Sequence, residues 1–576
     1  MTSALLLPVL LAVLWTGWRA LEARDRLLAT AAGLEVLRGQ IAARDFEAAG
    51  RTLSGLQDDS EAARRLTAGP LWAAAGHLPV AGDDFRAAHA VAEVVADVTH
   101  SALPPAVEAG ALLSATPPAD GRVALAPLSA AGPLVREASD QLARASATAD
   151  GIDTAGVGER ISAPVGSMQA QLAAAADAAR PMAEAVELLP GMLGREGPRS
   201  YLVLFQNNAE ARATGGMPGA FAVLTADAGR IELQDQLPTT GTFPRFAEPV
   251  LSLPPETLSL HSERVGVYFS DTNLTPHFPT TGELAREMWR RVSGQEVDGV
   301  LSVDPVALSY LLTATGPVAL ASGEELRPEE VVDVLLSETY ARYPDPPDQD
   351  AFFAQAAAGI FAALVEGEVG SPVGLLGSVQ LAVDERRLLA WSGHPQEQEL
   401  LSAARVGGAL PASDGDRPFV GVFLNDGTAA KMHFYLRQEV RVAASTCAVD
   451  GYRHLSVDVT LTSAAPPDAG VVLPVSVTGD GAGGLPPGVI RSQVLVYGSV
   501  DGAVRTVEDG AGLVPFLAKE EQGRPVAVFF ADLLPGESRT FTVGLLASLA
   551  QTGEPEVRTT PGVAPSLIAV EQSPCP

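Results

Sequence analysis

The spacing of apolar positions divides the chain into three regions. Residues 20–193 are Ala-rich, and apolar side chains between Leu27 and Leu56 recur at the spacing of one amphipathic helical face. Further helices are predicted over 84–103, 134–147 and 165–189, with breaks at the Pro- and Gly-containing runs 77–84 and 116–121. The pattern predicts a helical stalk over residues 20–193.

The second region, residues 199–410, alternates between strand-like and helix-like runs. The strand-like runs are "SYLVLF", "AFAVLTAD", "GVYFSD" and "VDGVLSVD", which are rich in β-branched and aromatic residues. The run "PVALSYLLTATG" begins with proline and ends on glycine, as helices commonly do. Strands that alternate with helices indicate an α/β domain.

The third region, residues 417–576, follows a linker-like run of Pro, Ser, Asp and Gly and is rich in alternating strand patterns. These include "FVGVFL", "HLSVDVTLT", "VVLPVSV" over 471–477 and "SRTFTVGLL", separated by Gly, Pro and Asp turns. We predict a C-terminal β-sandwich. The fold class is therefore a multidomain α+β protein.

The first 19 residues predict a transmembrane anchor. "ALLLPVLLAVLWTGW" is apolar throughout, and Trp15 and Trp18 lie where an interfacial anchor would lie. No small-residue cleavage site follows, which favours an uncleaved anchor over a signal peptide. The positive-inside rule disagrees, since Arg19 and Arg24 follow the segment and no cation precedes it. We hypothesise an upstream basic stretch and expect a single-pass protein of the cytoplasmic membrane with its bulk outside the cytoplasm.

Composition excludes several function classes. The formal net charge is -30, and no basic stripe is present, so nucleic acid is not an expected partner. Hydrophobic residues make up 47% and charged residues 19%, which is typical of folded domains rather than disordered polyanions. The phosphate-binding loop motif, the zinc-protease motif and the serine-hydrolase elbow are missing, so nucleotide is not an expected partner either.

Cys447 and Cys575 are the two cysteines of the chain, and both lie in the predicted sandwich. Their positions suggest a disulfide that ties down the C-terminus and requires an oxidising compartment. The alternative is two unrelated thiols. Their spacing does not resemble a zinc site.

The stretch "FQNNAEARATGG" is the strongest candidate for a binding site. The strand Tyr201–Phe205 is expected to present polar side chains at its C-terminal end, where ligands bind in open α/β sheets. The candidate ligand-binding side chains there are Asn207, Asn208, Glu210 and Arg212. A guanidinium suits a phosphate or carboxylate, so we expect Arg212 in an open crevice. In the alternative, the amides satisfy loop backbone and Glu210 pairs with Arg212.

A second polar run, "SDTNLTPHFP", is expected to line the same cleft through Asp271 and Asn273. The alternative is a turn in which these side chains cap backbone groups.

Several motifs together resemble the domain-of-unknown-function family 4012 (DUF4012). They are "YLVLFQNNAEARATGGMPGAFAVLTADAGRIEL", "SDTNLTPHFP", "VDGVLSVDPVALSYLLTATGPV" and "NDGTAAKMHFYL". The resemblance implies a membrane-anchored envelope protein of high-GC Gram-positive bacteria. The family has no settled activity.

The order of elements in 199–410 is also similar to the LytR-CpsA-Psr family, which transfers wall polymers from polyprenyl pyrophosphate. That likeness matches Arg212, Arg342 and Gln355 to residues of the pyrophosphate site. It implies a magnesium ion, but amides at Asn207 and Asn208 replace the expected carboxylates. Glu210 and Asp271 could supply charge from other positions, so the cofactor stays open and we assign no metal ligand.

Two functions are therefore expected. The first is binding, and in its stronger form transfer, of a polyprenyl-phosphate-linked or phosphorylated glycopolymer by a LytR-CpsA-Psr-like transferase. The second is a non-enzymatic scaffold for envelope or exopolysaccharide assembly. The expected partners are the cytoplasmic membrane and a polyprenyl-linked or cell-wall polymer.

Overall fold

The structure is a computed structural model that describes residues 3–79, 81–114, 122–234, 236–320, 322–365, 372–449, 451–481 and 484–573. The chain forms two compact units. The helical unit comprises Met1–Pro198 with Asp227–Arg230, and the sheet unit comprises Arg199–Ala226 with Ile231–Pro576. A mixed α+β, multidomain fold is confirmed.

The helical unit contains the helices α1 (Ser3–Ala42), α2 (Phe46–Thr67), α3 (Pro70–Ala75), α4 (Gly82–Asp97), α5 (Leu103–Ser114), α6 (Leu125–Asp150) and α7 (Glu159–Met192). The face predicted from Leu27 to Leu56 is divided between α1 and α2. The single predicted helix is interrupted before Asp45, because the Asp45 side chain caps the start of α2 by accepting a hydrogen bond from the Ala48 amide at 2.9 Å. Apolar residues of both helices then share one core cluster.

The predicted anchor over residues 1–19 gains no support from the helices. Among the described residues, no helix combines sufficient length with sufficient apolar character to cross a membrane. Residues 1 and 2 lie outside the description, as do the side chains of residues 3–12. The anchor stays a prediction.

The first part of the sheet unit is an α/β layer around a mixed sheet. Its strands are β1 (Arg199–Arg212), β2 (Gly215–Asp227), β3 (Arg230–Leu233), β4 (Leu237–Pro238), β5 (Gly299–Val303), β6 (Val318–Ala319), β7 (Glu325–Leu326) and β8 (Leu388–Ser392). The main sheet has the order β3-β2-β1-β5-β8, with β4 beside β2. β1 and β5 run parallel, while β1 with β2 and β5 with β8 run antiparallel.

The helices of this layer are α8 (Pro255–His261), α9 (Arg264–Val267), α10 (Phe278–Ser293), α11 (Pro305–Thr315), α12 (Val331–Asp333), α13 (Thr339–Arg342), α14 (Pro346–Val365), α15 (Pro372–Asp384) and α16 (Pro395–Ala403). The strand predicted over "GVYFSD" is wrong. Its residues form the end of α9 and a 3₁₀ turn, Phe269–Asp271. Burial of Phe269 against Phe243 and Phe221 holds that turn on the sheet core.

The second part is the predicted β-sandwich. Its strands are β9 (Phe419–Asp426), β10 (Leu436–Val449), β11 (Tyr452–Ser463), β12 (Ile490–Tyr497), β13 (Ala503–Asp509), β14 (Gly512–Leu513), β15 (Leu517–Glu521), β16 (Arg524–Leu533), β17 (Ser538–Ala547), β18 (Glu556–Thr559) and β19 (Leu567–Ser573). Two sheets, β14-β13-β17-β11-β10-β19 and β15-β16-β12-β9-β18, enclose one apolar core.

The strand predicted over "VVLPVSV" is wrong. The run contributes to two short helices, α17 (Ala469–Val472) and α18 (Val475–Thr478), separated at Pro474. Val471 is 88% and Val475 66% exposed, so most of this β-branched run lacks a buried face that would hold it as a strand.

The α/β layer and the sandwich belong to one compact unit, and a buried polar cluster joins them. The Glu521 carboxylate, on β15, accepts from the Tyr497 hydroxyl at 2.7 Å and the Thr275 hydroxyl at 3.2 Å. His261, at the end of α8, lies 3.4 Å from the same carboxylate. Burial alone would raise the pKa of Glu521, but His261 and the two hydroxyls lower it below its ordinary value.

This cluster predicts acid sensitivity. The folded-state pKa of Glu521 lies below the ordinary 4.5, so its stabilisation is complete above that pH. The stabilisation is lost as the pH falls through the folded-state pKa. Glu521→Gln should therefore flatten the acid limb of stability against pH, measured as urea midpoints. Glu520→Gln, at the exposed neighbouring position, should leave the limb unchanged; an unchanged limb in Glu521→Gln would contradict the prediction.

Candidate functional site

The predicted binding loop is a continuation of β1. This strand runs through all the polar residues to Arg212 and pairs with β2 across irregularities at Phe205/Gln206 and Asn207/Ala211. The parallel pairing with β5 ends at Phe205 opposite Val303. The polar half of β1 therefore extends beyond the carboxyl end of the parallel pair, and its side chains take partners from elsewhere in the sheet unit.

A hydrogen-bond network closes the β1–β2 turn. The Gln206 amide donates to the Thr214 hydroxyl at 3.1 Å, and its oxygen accepts from the Gly216 amide at 2.9 Å. The Asn273 amide donates to the Thr214 hydroxyl at 2.9 Å and to the Gly216 carbonyl at 2.8 Å. A Cβ at Gly216 would lie 2.1 Å from the Asn207 carbonyl carbon, so this position requires glycine. Asn273 thus supports a turn.

Arg212 does not project into an open crevice as predicted, because the protein buries and pairs it. Its side chain is 9% exposed and donates to Asp271 at 3.1 Å and to the Ala211 carbonyl at 3.0 Å. Arg264 lies 2.7 Å from the other oxygen of Asp271, with its own side chain 62% exposed. The Asp271 carboxylate thus bridges a buried and an exposed guanidinium, which leaves it poorly suited to a metal ion.

Glu210 and Asn207 are also held internally. Glu210 is buried and pairs with Lys431 of the sandwich part at 2.8 Å, rather than with Arg212. Asn207 donates to the Tyr340 hydroxyl at 2.9 Å and accepts from the Ala209 amide at 3.0 Å. Burial raises the pKa of Tyr340, and the charge of Glu210 raises it further. The Tyr340 hydroxyl therefore stays protonated at neutral pH.

Asn208 lies just beyond the carboxyl end of the parallel β1–β5 pair, where a ligand was expected. A segment from near the C-terminus of the protein, around Pro561, lies there instead. Its amide donates to Asp304 at 2.9 Å and to the Pro561 carbonyl at 3.0 Å. Arg387 donates to the same Asp304 oxygen at 2.9 Å and to the Gly562 carbonyl at 2.9 Å. We call Thr560–Ser566 the covering segment, since two of its carbonyls accept these hydrogen bonds just beyond the carboxyl end of the parallel β1–β5 pair.

Sequence reasoning did not find Asp304 or Arg387. Asp304 caps α11, accepting from the Ala307 amide at 2.7 Å, and "VDP" before a helix is a usable cap signal. Burial alone would lower the pKa of Arg387, but the charges of Asp304 and Glu385 raise it above its ordinary value. The sequence signal that could have pointed to Arg387 is the pair of arginines directly before the apolar run of β8.

A small cavity lies beneath the covering segment. Its volume is ≈ 20 Å³, enough for about one water molecule. Its lining includes Asn208, His433, Gln438 and Gly562. Two of these lining residues, Asn208 and Gln438, each carry a buried polar atom (Oδ1 and Nε2) that has no hydrogen-bond partner in the described part of the chain. A bound water would satisfy such groups, whereas a polymer head group is too large for the space.

The remaining predicted residues lie on other helices. Arg342, at the end of α13, pairs with Glu324 at 2.6 Å and with Glu338. Gln355 is exposed on α14. The contacts that the structure describes do not join either residue to Arg212.

The sequence assigns no metal ligand, and its disulfide prediction is not tested by the described residues. Within them, no group of three or more His, Cys, Asp or Glu side chains is arranged to hold a metal ion. Cys575 and the side chain of Cys447 lie outside the description.

Comparison with known proteins gives one match. The model of a family described as "Protein of unknown function (DUF4012)" matches residues 196–340. This confirms the predicted likeness to DUF4012 for that part, which includes β1, β2 and β5. Neither the curated proteins nor the solved structures include a match to the chain. The likeness to the LytR-CpsA-Psr family and the envelope location thus gain no support.

Proposed function

We propose that this protein is a non-enzymatic scaffold of the cell envelope, anchored at the cytoplasmic membrane with its bulk outside the cytoplasm. The observation that carries the proposal is the bonding of the polar half of β1. Arg212, Asn208 and Glu210 are each at least nine-tenths buried and each pair with a protein group. Through these bonds the polar half of β1 holds the α/β layer and the sandwich together. A rigid connection of this kind suits a protein that serves as a scaffold.

The alternative is a protein that binds or transfers a polyprenyl-phosphate-linked glycopolymer. It requires Arg212 to leave Asp271 and the covering segment to leave Asn208 and Arg387. Each departure would strand a buried charge or donor, at a cost of several kcal/mol. We therefore favour the scaffold.

A binding titration separates the two functions. The full chain in detergent is titrated with a polyprenyl pyrophosphate, with and without Mg²⁺, by calorimetry. The scaffold predicts no binding that depends on Mg²⁺ or on Arg212. Arg264→Ala is the control, because it removes an exposed guanidinium from the same carboxylate. Mg²⁺-dependent binding that Arg212→Met abolishes and Arg264→Ala retains would establish the alternative.

A cellular experiment tests the scaffold positively. Arg212→Met combined with Asp271→Leu replaces the buried ion pair by apolar groups, and such replacements are often nearly neutral for stability. In a deletion strain, this double variant should restore the envelope property that the deletion changes to the same extent as the wild-type chain. Failure of a folded, normally abundant double variant would count against the scaffold.

Envelope location makes a separate prediction for the cysteines. β10 and β19 pair in parallel, with Ser445 opposite Ser573. In the sequence, Cys447 follows Ser445 by two residues and Cys575 follows Ser573 by two residues. We propose that Cys447 and Cys575 form a disulfide in an oxidising compartment. Peptide mass spectrometry without reduction should recover the linked pair from native membranes. Recovery of two free thiols would contradict both the bond and the compartment.

A further inference from the structure

Helix α1 carries a second apolar stripe, on the side away from its packed face. The stripe consists of Leu14, Trp18, Leu21 and Leu28, and each of these side chains is more than half exposed. The packed face includes buried Ala23 and Leu37, and Leu37 joins residues of α2 in one core cluster. At about 3.6 residues per turn, the two faces lie roughly opposite each other. A helix that is apolar on two opposite faces is typically covered on both.

The exposed stripe has the spacing of a coiled-coil seam. In a heptad repeat, Leu14, Leu21 and Leu28 take the d position. The a positions between and after them are Trp18, Asp25 and Ala32. Leucine at d is the choice typical of parallel two-stranded coiled coils. The spacing therefore indicates that the partner of this stripe is another helix.

Lipid does not account for the exposure of Leu21 and Leu28. The proposed anchor ends at residue 19, and the charged side chains from there to residue 26 are Arg19, Glu22, Arg24, Asp25 and Arg26. Charged side chains are costly in hydrocarbon, so this part of α1 lies in water. Leu21 and Leu28 are therefore apolar groups that a protein partner would remove from water.

The charges beside the stripe favour a second copy of α1 as that partner. Arg24 and Asp25 are both exposed, and in the part of the chain that the structure describes neither side chain forms an ion pair or a hydrogen bond. In a parallel, in-register pair of helices, a side chain at a packs among four residues of the facing helix. For Asp25 these four include Arg24 of the second copy. The two-fold symmetry would create this ion pair twice.

We propose that residues 18–32 of α1 form a parallel two-stranded coiled coil with the same residues of a second copy of this chain. The seam joins each leucine at d to its own copy and places Asp25 of each chain beside Arg24 of the other. The dimer goes beyond the scaffold function, which a monomer would leave standing. It takes from that function only the shared membrane anchor, which makes the two helices parallel.

Sedimentation equilibrium of the full chain in density-matched detergent tests the dimer. We expect two chains per particle for the wild type. Leu21→Glu combined with Leu28→Glu should raise the Kd of dimerisation about a hundredfold, because it puts four carboxylates into the seam. Both positions are exposed in one chain, so the circular dichroism spectrum should not change.

Leu71→Glu is the matched control, since Leu71 is an exposed leucine of α3, in the same helical unit. It should leave the Kd of dimerisation unchanged. A wild-type chain that stays monomeric, or an equal Kd in the double variant and the control, would overturn the proposal.

Exchange of the two charges tests the pairing itself. Arg24→Asp and Asp25→Arg should each weaken dimerisation about tenfold, because each removes both ion pairs and brings like charges together. The two substitutions combined exchange the charges and should restore the wild-type Kd. A combined variant as weak as the single variants would overturn the parallel pairing.

Cross-linking tests the register of the two helices. Leu28→Cys should form a disulfide between copies on mild oxidation, because each d residue of the seam meets its own copy. Leu71→Cys should not, and the native cysteines are the same in both variants. No cross-link through Leu28→Cys would also overturn the proposal.

Discussion

Arg212→Met is expected to lower the free energy of unfolding of the sheet unit by about 3 kcal/mol. The substitution removes the buried guanidinium and leaves Asp271, which is 1% exposed, with Arg264 as its remaining cationic partner. The carboxylate keeps its ion pair with an exposed guanidinium but loses its buried donor, and the interior cannot solvate the oxygen left without one. Urea denaturation followed by circular dichroism measures the loss.

Arg264→Ala is the matched control for this prediction. It removes the other guanidinium from the same carboxylate, but 62% of that side chain is exposed, so the loss should be below about 1 kcal/mol. Equal losses in the two variants would show that burial does not decide the role of Arg212.

Arg387→Met should have an effect of similar size at the other end of the polar stretch. Arg387 is 4% exposed, and its loss removes a partner from buried Asp304 and a donor from the Gly562 carbonyl. We expect a loss of about 3 kcal/mol in the free energy of unfolding. The Thr560 amide, which donates to the Val422 carbonyl, should also exchange its hydrogen faster as the covering segment loosens.

The adjacent arginine provides the control for that experiment. Arg386→Met removes a guanidinium that has no described side-chain partner and whose pKa is lowered by burial, so it should neither reduce stability nor speed exchange at Thr560. Unchanged exchange in Arg387→Met would contradict the assignment of Thr560–Ser566 as a covering segment.

The sequence predicted the elements whose apolar pattern is local. Apolar runs predicted the strand at Tyr201–Phe205 and strand β9. Proline at the start and glycine at the end predicted the helix that begins at Pro305. The structure contains all of these elements. "VVLPVSV" has the composition of a strand, yet it pairs with no strand among the described residues and forms α17 and α18. Its propensity was overridden by its surroundings.

The candidate site was less predictable because its partners are distant in sequence. Arg212 and Asp271 are 59 residues apart, and Asn208 and Pro561 are 353 residues apart. A single sequence shows that Asn208 and Arg212 are polar and follow a strand. It does not show that a segment from the end of the sandwich lies over that strand and takes the hydrogen bonds expected for a ligand.

A double-mutant cycle between Arg212 and Asp271 tests the central claim most directly. Arg212→Met and Asp271→Leu are measured singly and together by urea denaturation of the full chain. If the pair is an internal ion pair, each single variant loses about 3 kcal/mol and the double variant loses much less, with a coupling of about 2 kcal/mol or more. A coupling below about 0.5 kcal/mol would show that Arg212 is free of Asp271 and would return it to a ligand-binding role.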